Sequence, residues 1–245
     1  MAVASLRRAA GIALACLVGP AVATRARSDP APVTTASARS DDRAASWEKI
    51  GEDDGITVYR REVPGSPVIA FKGEGIINAS ILRVASILVD TTRATEWIDS
   101  LVEERTIRRV SETEYIEYDH MGTPFVMKDR DFVIDCKLDL DAAQKKATLR
   151  FHSVTDSLAP ATSYVRGELI SSSFALTALE RGAKTMMVAE IHCDPKGSVA
   201  KWIVNWFQKG WPHNTITSVR AQAAKPDIVD HARLKEVMTE KGYFN

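Results

Sequence analysis

The chain has 245 residues, is 45% hydrophobic and carries 32 basic against 32 acidic side chains. That balance gives no basic excess to attract nucleic acid and no charged block to serve as an interaction tail. The length fits one large domain or two small ones.

Arg7 and Arg8 precede an uncharged run from Ala9 to Ala23 that ends in Ala21-Val22-Ala23. A basic start, a short apolar stretch and an A-x-A site make residues 1–23 a secretory signal peptide, with cleavage expected after Ala23. The run is too short to span a bilayer. The arginine pair lacks the surroundings of a twin-arginine signal, which favours the general secretory route and a secreted or periplasmic product. Lipoprotein anchoring through Cys16 is the less favoured alternative, because Ala13 stands where a bulky aliphatic is usual and Cys16 lies inside the apolar run. Cleavage leaves 30 basic against 32 acidic residues. Residues 24–45 are rich in Ala, Ser, Thr, Arg, Asp and Pro without apolar periodicity, and read as a disordered linker. Residues 46–245 are then one folded domain.

Trp47 to Ile50 is a short helix or a strand lead-in. Ile56–Val63 and Val68–Ile77 read as two strands around the turn Pro64-Gly65-Ser66-Pro67. Asn78 or Ser80 can cap a helix with Ile81, Leu82, Ala85, Leu88 and Val89 on one face. A short helix around Arg93–Ile98 carries Trp97. From Val102 to Cys193 six strand-like runs follow at short spacing: Val102–Val110, Glu114–Met121, Asp131–Leu140, Lys146–Val154, Tyr164–Leu179 and Thr185–Cys193. Short connections predict an antiparallel meander. In the third run Phe132, Ile134, Cys136, Leu138 and Leu140 oppose Asp131, Asp135, Lys137 and Asp139, giving one apolar and one wet face. His152 and His192 read as outward.

The last long element is a helix after the turn Asp194-Pro195-Lys196-Gly197, with Ser198 as expected N-cap. Val199, Trp202, Ile203, Trp206 and Gly210 form its apolar stripe, with Lys201, Asn205, Gln208 and Lys209 opposite. Pro212 should kink or break it. Thr217, Ala221 and Ala224 continue the inward stripe as small residues. The predicted class is α+β, a curved antiparallel sheet wrapped around this helix. Small inward residues, Ala147, Ala189 and Ser171 to Ser173, leave room for an internal cavity.

Three segments in this order, ATEWIDSLVEERTI around Trp97, PFVMKDRDFV from Pro124, and DPKG with KWIVN from Asp194, resemble START domains, the StAR-related lipid-transfer family. The resemblance covers Trp47 to about Ala224, and it looks like a bacterial-type secreted single-domain member. It implies a helix-grip fold whose cavity binds one lipid or other hydrophobic molecule beneath the C-terminal helix. That helix, with the loops Gly122–Lys128 and Asp156–Thr162, would act as the door. Some sterol-binding relatives place an acid–base pair in the cavity; here the basic position falls on Cys136, which departs from that pattern. The candidate ligand-binding residues are Tyr118, His120, Phe132, Ile134, Cys136, Phe151, Arg166, Ala189, Trp202, Ile203 and Trp206. Tyr118, His120 and Arg166 are the polar candidates to meet a head group. Trp202 and Trp206 are expected to pack on the sheet, and Trp211 is the candidate for transient membrane contact. Arg130 and Asp131 are expected to form an ion pair or hydrogen bonds with a structural role.

No catalytic motif, dinucleotide fingerprint or metal-ligand spacing is present, so no catalytic residue, metal or cofactor is expected. A Cys136–His120 nucleophile–base pair would lack a third orienting group. The alternative to a carrier is a cyclase-like or other small-molecule enzyme on the same grip architecture. After leader removal Cys136 and Cys193 remain, two strands apart, about 14 Å at the usual interstrand spacing and too far for a disulfide. A monomer is expected.

Overall fold

Period-two patterning through the middle of the chain becomes a ten-stranded sheet. The computed structural model describes residues 46–123 and 127–244, so the expected leader and linker, and residues 124–126, lie outside the described residues. The strands are β1 (Glu48–Asp53), β2 (Ile56–Arg61), β3 (Ala70–Ile77), β4 (Leu101–Arg109), β5 (Glu114–Met121), β6 (Arg130–Asp141), β7 (Lys146–Ser153), β8 (Val165–Arg166), β9 (Glu168–Leu179) and β10 (Lys184–Asp194). The helices are α1 (Ile81–Val89), α2 (Lys201–Ala223) and α3 (Ala232–Glu240). Strand order is β1-β2-β3-β10-β9-β7-β6-β5-β4, antiparallel throughout, and the two-residue β8 runs parallel beside β6. The meander is therefore real, and the N-terminal strands join it through β3 on β10. The expected run Tyr164–Leu179 divides at Gly167, where an added Cβ would lie 2.3 Å from the Phe132 ring.

Local chemistry explains the helices. Ser80 caps α1, its hydroxyl accepting from Arg83 N at 3.2 Å. Helix α3 has no conventional cap; Nδ1 of His231 accepts from Leu234 N at 3.2 Å, and Leu234, Val237 and Met238 are buried. Sequence patterning does not mark α3. Helix α2 begins later than expected, because Lys196 and Gly197 both adopt positive φ and extend the turn. Its N-cap is Ala200, and no side chain bonds there in place of the expected Ser198. The helix continues through Pro212 without a break.

The buried stripe of α2 is Val204, Gln208, Pro212, Thr215, Ile216, Val219 and Gln222. It spirals away from the expected stripe, leaving Trp202 and Trp206 71% and 68% exposed. Their expected packing on the sheet does not occur. The close approach of helix and sheet comes from the strand instead. A Cβ at Gly73 would lie 2.7 Å from the Pro212 side chain, whereas Thr217, Ala221 and Ala224 face solvent. Arg220 ties the far half of α2 down, donating to the carbonyls of Ile76 and Asp54 and to the Asp54 carboxylate. The core beneath contains Ile56, Ile77, Leu176, Met187, Ile216 and Met238. His192, expected outward, is buried against Ser66 at 2.8 Å, because the turn before β3 covers that end of β10. Cys136 and Cys193 are free and buried, with β7 and β9 between their strands.

Candidate functional site

A cavity of about 360 Å³ opens between α2 and the inner face of the sheet. Its floor follows from strand register. Phe132, Ile134 and Cys136 of β6 stand opposite Asp119, Glu117 and Tyr115 of β5, and Phe151 of β7 stands opposite Cys136. Side chains directly across an antiparallel pair share a face, so these seven project together. Leu149, Leu169, Phe174, Ile191 and Cys193 extend the apolar wall. Trp211 closes it from α2, stacked on Phe174 with 5.8 Å between ring centroids. Phe207, Gln208, Asn214, Thr215 and Ser218 of α2 and the Trp97–Ser100 turn also line it.

Of the candidates read from sequence, Phe132, Ile134, Cys136 and Phe151 line this cavity. The other seven sit elsewhere. Ala189 is buried in the sheet beneath α2 without lining the cavity, Ile203 is half-buried, and Trp202 and Trp206 point to solvent. Tyr118 and His120 lie on the opposite face of the sheet, under the 154–167 segment, to which Arg166 belongs. His120 bonds Asp129 at 2.9 Å and stacks on Tyr164 at 4.1 Å. Arg166 donates twice to Asp131, at 2.9 and 3.1 Å. Arg130 does not pair with Asp131; it donates to the carbonyls of Lys128, Pro195 and Lys196. His120 and Cys136 are thus separated by the sheet and form no nucleophile–base pair. Burial also pushes the Cys136 thiol well up, away from the reactive thiolate. Trp211, expected toward a membrane, faces inward. The Asp156–Thr162 loop, expected as a door, is pinned to the outer face, where Asp156 accepts from Arg108 at 2.9 and 3.1 Å.

The residues that sequence reasoning missed are acidic. Glu104 of β4 pairs with Asp119 of β5, Glu117 stands two residues along on the same face, and all three line the cavity. Among the described residues no Lys, Arg or His lines it. Burial and then the Glu117 charge raise the pKa of Glu104 and Asp119, with Asp90 adding to the first and Glu104 to the second; burial raises Glu117, partly offset by the Cys136 thiol, which donates to Glu117 Oε1 at 3.1 Å. Tyr115 is pushed up by burial and then by Glu117. The available signal was period two itself. Tyr115, Glu117, Asp119 and Met121 form one face of β5, but the acidic face was the natural choice for the solvent side.

These shifts set a pH dependence of stability. A carboxyl whose folded pKa is raised contributes stability below its unfolded pKa, and that contribution is lost as pH rises through the folded value. Wild-type protein should therefore lose stability between pH 5 and pH 8. Glu117→Gln should flatten that slope and stabilise the fold by on the order of 2 kcal/mol at pH 8. Thermal unfolding of both proteins across this range checks it; parallel curves would contradict it.

With the cavity and its grip helix in place, sequence comparison supplies the family. A START domain is matched over residues 34–221. The chain belongs to the START domain family. Phosphatidylcholine transfer protein of Bos taurus is 27% identical to this START domain over 170 residues, covering 67% of this chain and 78% of that protein. Human STARD10 superposes with a TM-score of 0.68 at 17% identity, over 79% of this chain and 76% of its own. A STAR-related lipid transfer protein fragment from Xanthomonas axonopodis superposes at 0.64 and 23% identity, over 73% and 99% of the two chains. The START helix-grip fold is thus shared, with an open rather than closed sheet.

Proposed function

We propose that this START domain binds one hydrophobic molecule of the lipid class in its cavity and carries it between membranes. The observation that carries the proposal is the apolar cavity held between sheet and helix, in a family whose relatives include phosphatidylcholine transfer protein. A lipid tail hidden from water gains about 25 cal/mol per Å² of apolar surface. Lined by Phe132, Ile134, Leu149, Phe151, Leu169 and Phe174, the pocket offers such cover.

Passage in and out calls for a door, and the first turns of α2 suit that role. They lack a side-chain cap, follow two positive-φ residues and expose their indoles, whereas Arg220 and the buried Ile216 and Val219 anchor the far half. The exposed Trp202 and Trp206 are the contact with the donor or acceptor bilayer. On the leader reading, the protein works as a secreted or periplasmic carrier.

Binding is favoured over catalysis by the direction of the ionisation shifts. Acid–base enzymes set neighbouring groups apart so that one donates while another accepts. Here Glu104, Glu117, Asp119, Tyr115 and Cys136 all move the same way, toward the neutral form. The test is native mass spectrometry of protein isolated gently from its own host. One hydrophobic molecule per chain is expected; protein that arrives empty and takes up no lipid class would sink the reading.

A further inference from the structure

The polar end of the cavity is built against the interest of the fold. Glu104 and Asp119 stand directly opposite across β4 and β5, with Glu117 beside them. Like charges at opposed sheet positions are destabilising, and burying carboxyls without a cation is costlier again. Packing therefore gives no reason for the cluster. Two further atoms support a role in binding. Gln208 lines the cavity and is 9% exposed; its Nε2 donates to the Cys193 carbonyl at 2.7 Å, while its Oε1 is enclosed and has no partner among the described residues. Asp119 Oδ1 is enclosed and unpartnered in the same way. Both atoms are acceptors without a donor, while the Trp97 indole Nε1 on the same lining is an enclosed donor without an acceptor.

Resting on the binding reading above, we propose that the cavity takes an amphiphile whose head is a protonated amine, seated against Glu104, Glu117 and Asp119 with its apolar body along Phe132, Ile134 and Phe174. An ammonium offers three donors and a positive charge, which suits three carboxyls that have no Lys, Arg or His beside them on the lining. A phosphate or carboxylate head would meet three carboxyls and no cation on the lining. A metal ion is the other possible cation, but among the described residues no group of His, Cys, Asp and Glu has the arrangement to hold one. A volume of about 360 Å³ lies at the low end for small-molecule pockets, which fits a single chain or compact ring body.

The amine also changes the protonation of its site. Burial keeps the carboxyls protonated when alone, and an ammonium nearby favours their charged form. The other ionisable groups facing them are Asp99, Tyr115, Cys136 and Cys193, with Asp90 acting on Glu104; α2 adds only neutral side chains. Binding an ammonium at neutral pH should thus expel about one proton to the buffer.

The experiment is calorimetric titration of the intact protein with decylamine, decanol and decanoate at pH 7, in buffers of different ionisation enthalpy. Decylamine is expected to bind at least about ten-fold more tightly than the other two, with proton release, because bonds to charged groups exceed neutral ones by that margin. Glu117→Gln/Asp119→Asn should bring decylamine down to the affinity of decanol. Its melting temperature should not fall, since it removes buried carboxyls, so lost preference cannot be mistaken for lost fold. Decanol or decanoate binding as well as the amine, amine binding without proton release, or saturable binding of calcium alone at this site would overturn the amine assignment and leave the carrier reading standing. Failure of all three probes to bind would overturn both.

Discussion

Replacing Arg166 with methionine is expected to destabilise the protein by about 3 kcal/mol at neutral pH, lowering its melting temperature by roughly 6–12 °C. The reason lies in its partner. Asp131 is fully buried on the outer face of β6, and its carboxylate accepts both donors of Arg166 and the Thr162 hydroxyl at 2.8 Å. Burial alone would raise its pKa, but the bonds from Arg166 and then Thr162 outweigh it and hold the group below its ordinary value. Methionine keeps much of the arginine stem's bulk and leaves a carboxylate buried without a cation. The effect sits at the lower end for broken buried pairs because Arg166 is itself 35% exposed. Its pH dependence is diagnostic. In the wild type the pair's contribution is present above the unfolded carboxylate pKa and is lost as pH falls through the depressed folded value. In the variant Asp131 is instead relieved by taking up a proton, so the stability gap should be widest at neutral pH and shrink toward pH 4. Chemical unfolding of both proteins at pH 4 and pH 7 measures it, and a gap below about 0.5 kcal/mol at pH 7 would remove Asp131–Arg166 from the structural account.

The same pair shows where the sequence was legible and where it was not. Strand β6 was readable because its apolar residues alternate cleanly, and Phe132, Ile134 and Cys136 do face the cavity. Reading Asp131 as wet failed because alternation reports polarity, not exposure. The 154–167 segment covers that face, and the salt bridge allows the charge to be buried. Strand β5 failed for a related reason. Both of its faces are polar, so period two cannot say which turns inward. A pattern that turns Tyr118 and His120 inward differs by one residue from the one observed, which turns Glu117 and Asp119 inward. In α2 the apolar residues of the first two turns do not continue the stripe that begins at Val204. Amphipathicity locates the helix but rotates it, because a stripe drawn through Trp202 and Trp206 counts as core two side chains that stand in solvent. Motif order is more legible than face assignment, since MKDRDFV from Met127 and DPKG from Asp194 mark turns and strand starts whose geometry depends on local backbone chemistry. The family and the helix-grip topology could therefore be read from the chain, while the polar end of the cavity could not.

The exposed indoles lead to the second large effect. Trp202 and Trp206 are one helical turn apart on the outer side of α2, and Lys201 and Lys209 are exposed nearby on the same helix. Leaving two indoles in water is unfavourable for a protein that never meets an apolar surface. An amphipathic helix with Trp on one face and Lys alongside is instead suited to the bilayer interface. An aromatic side chain presents roughly 150–250 Å², and half of that buried at about 25 cal/mol per Å² is worth about 2 kcal/mol. Trp202→Ala/Trp206→Ala should therefore weaken vesicle association by a hundred-fold or more, since each 1.4 kcal/mol is about ten-fold. It should slow lipid transfer in proportion. Stability and ligand retention should change little, because neither indole lines the cavity or packs in the core. Adding salt should weaken wild-type binding to anionic vesicles modestly, as lysine attraction is screened, without matching the loss from the indoles. Co-sedimentation with vesicles and a fluorescent-lipid transfer assay, run beside thermal unfolding, separate the possibilities. Transfer within two-fold of wild type would rule out these turns of α2 as the membrane contact. A large fall in melting temperature would return the indoles to the role of packing.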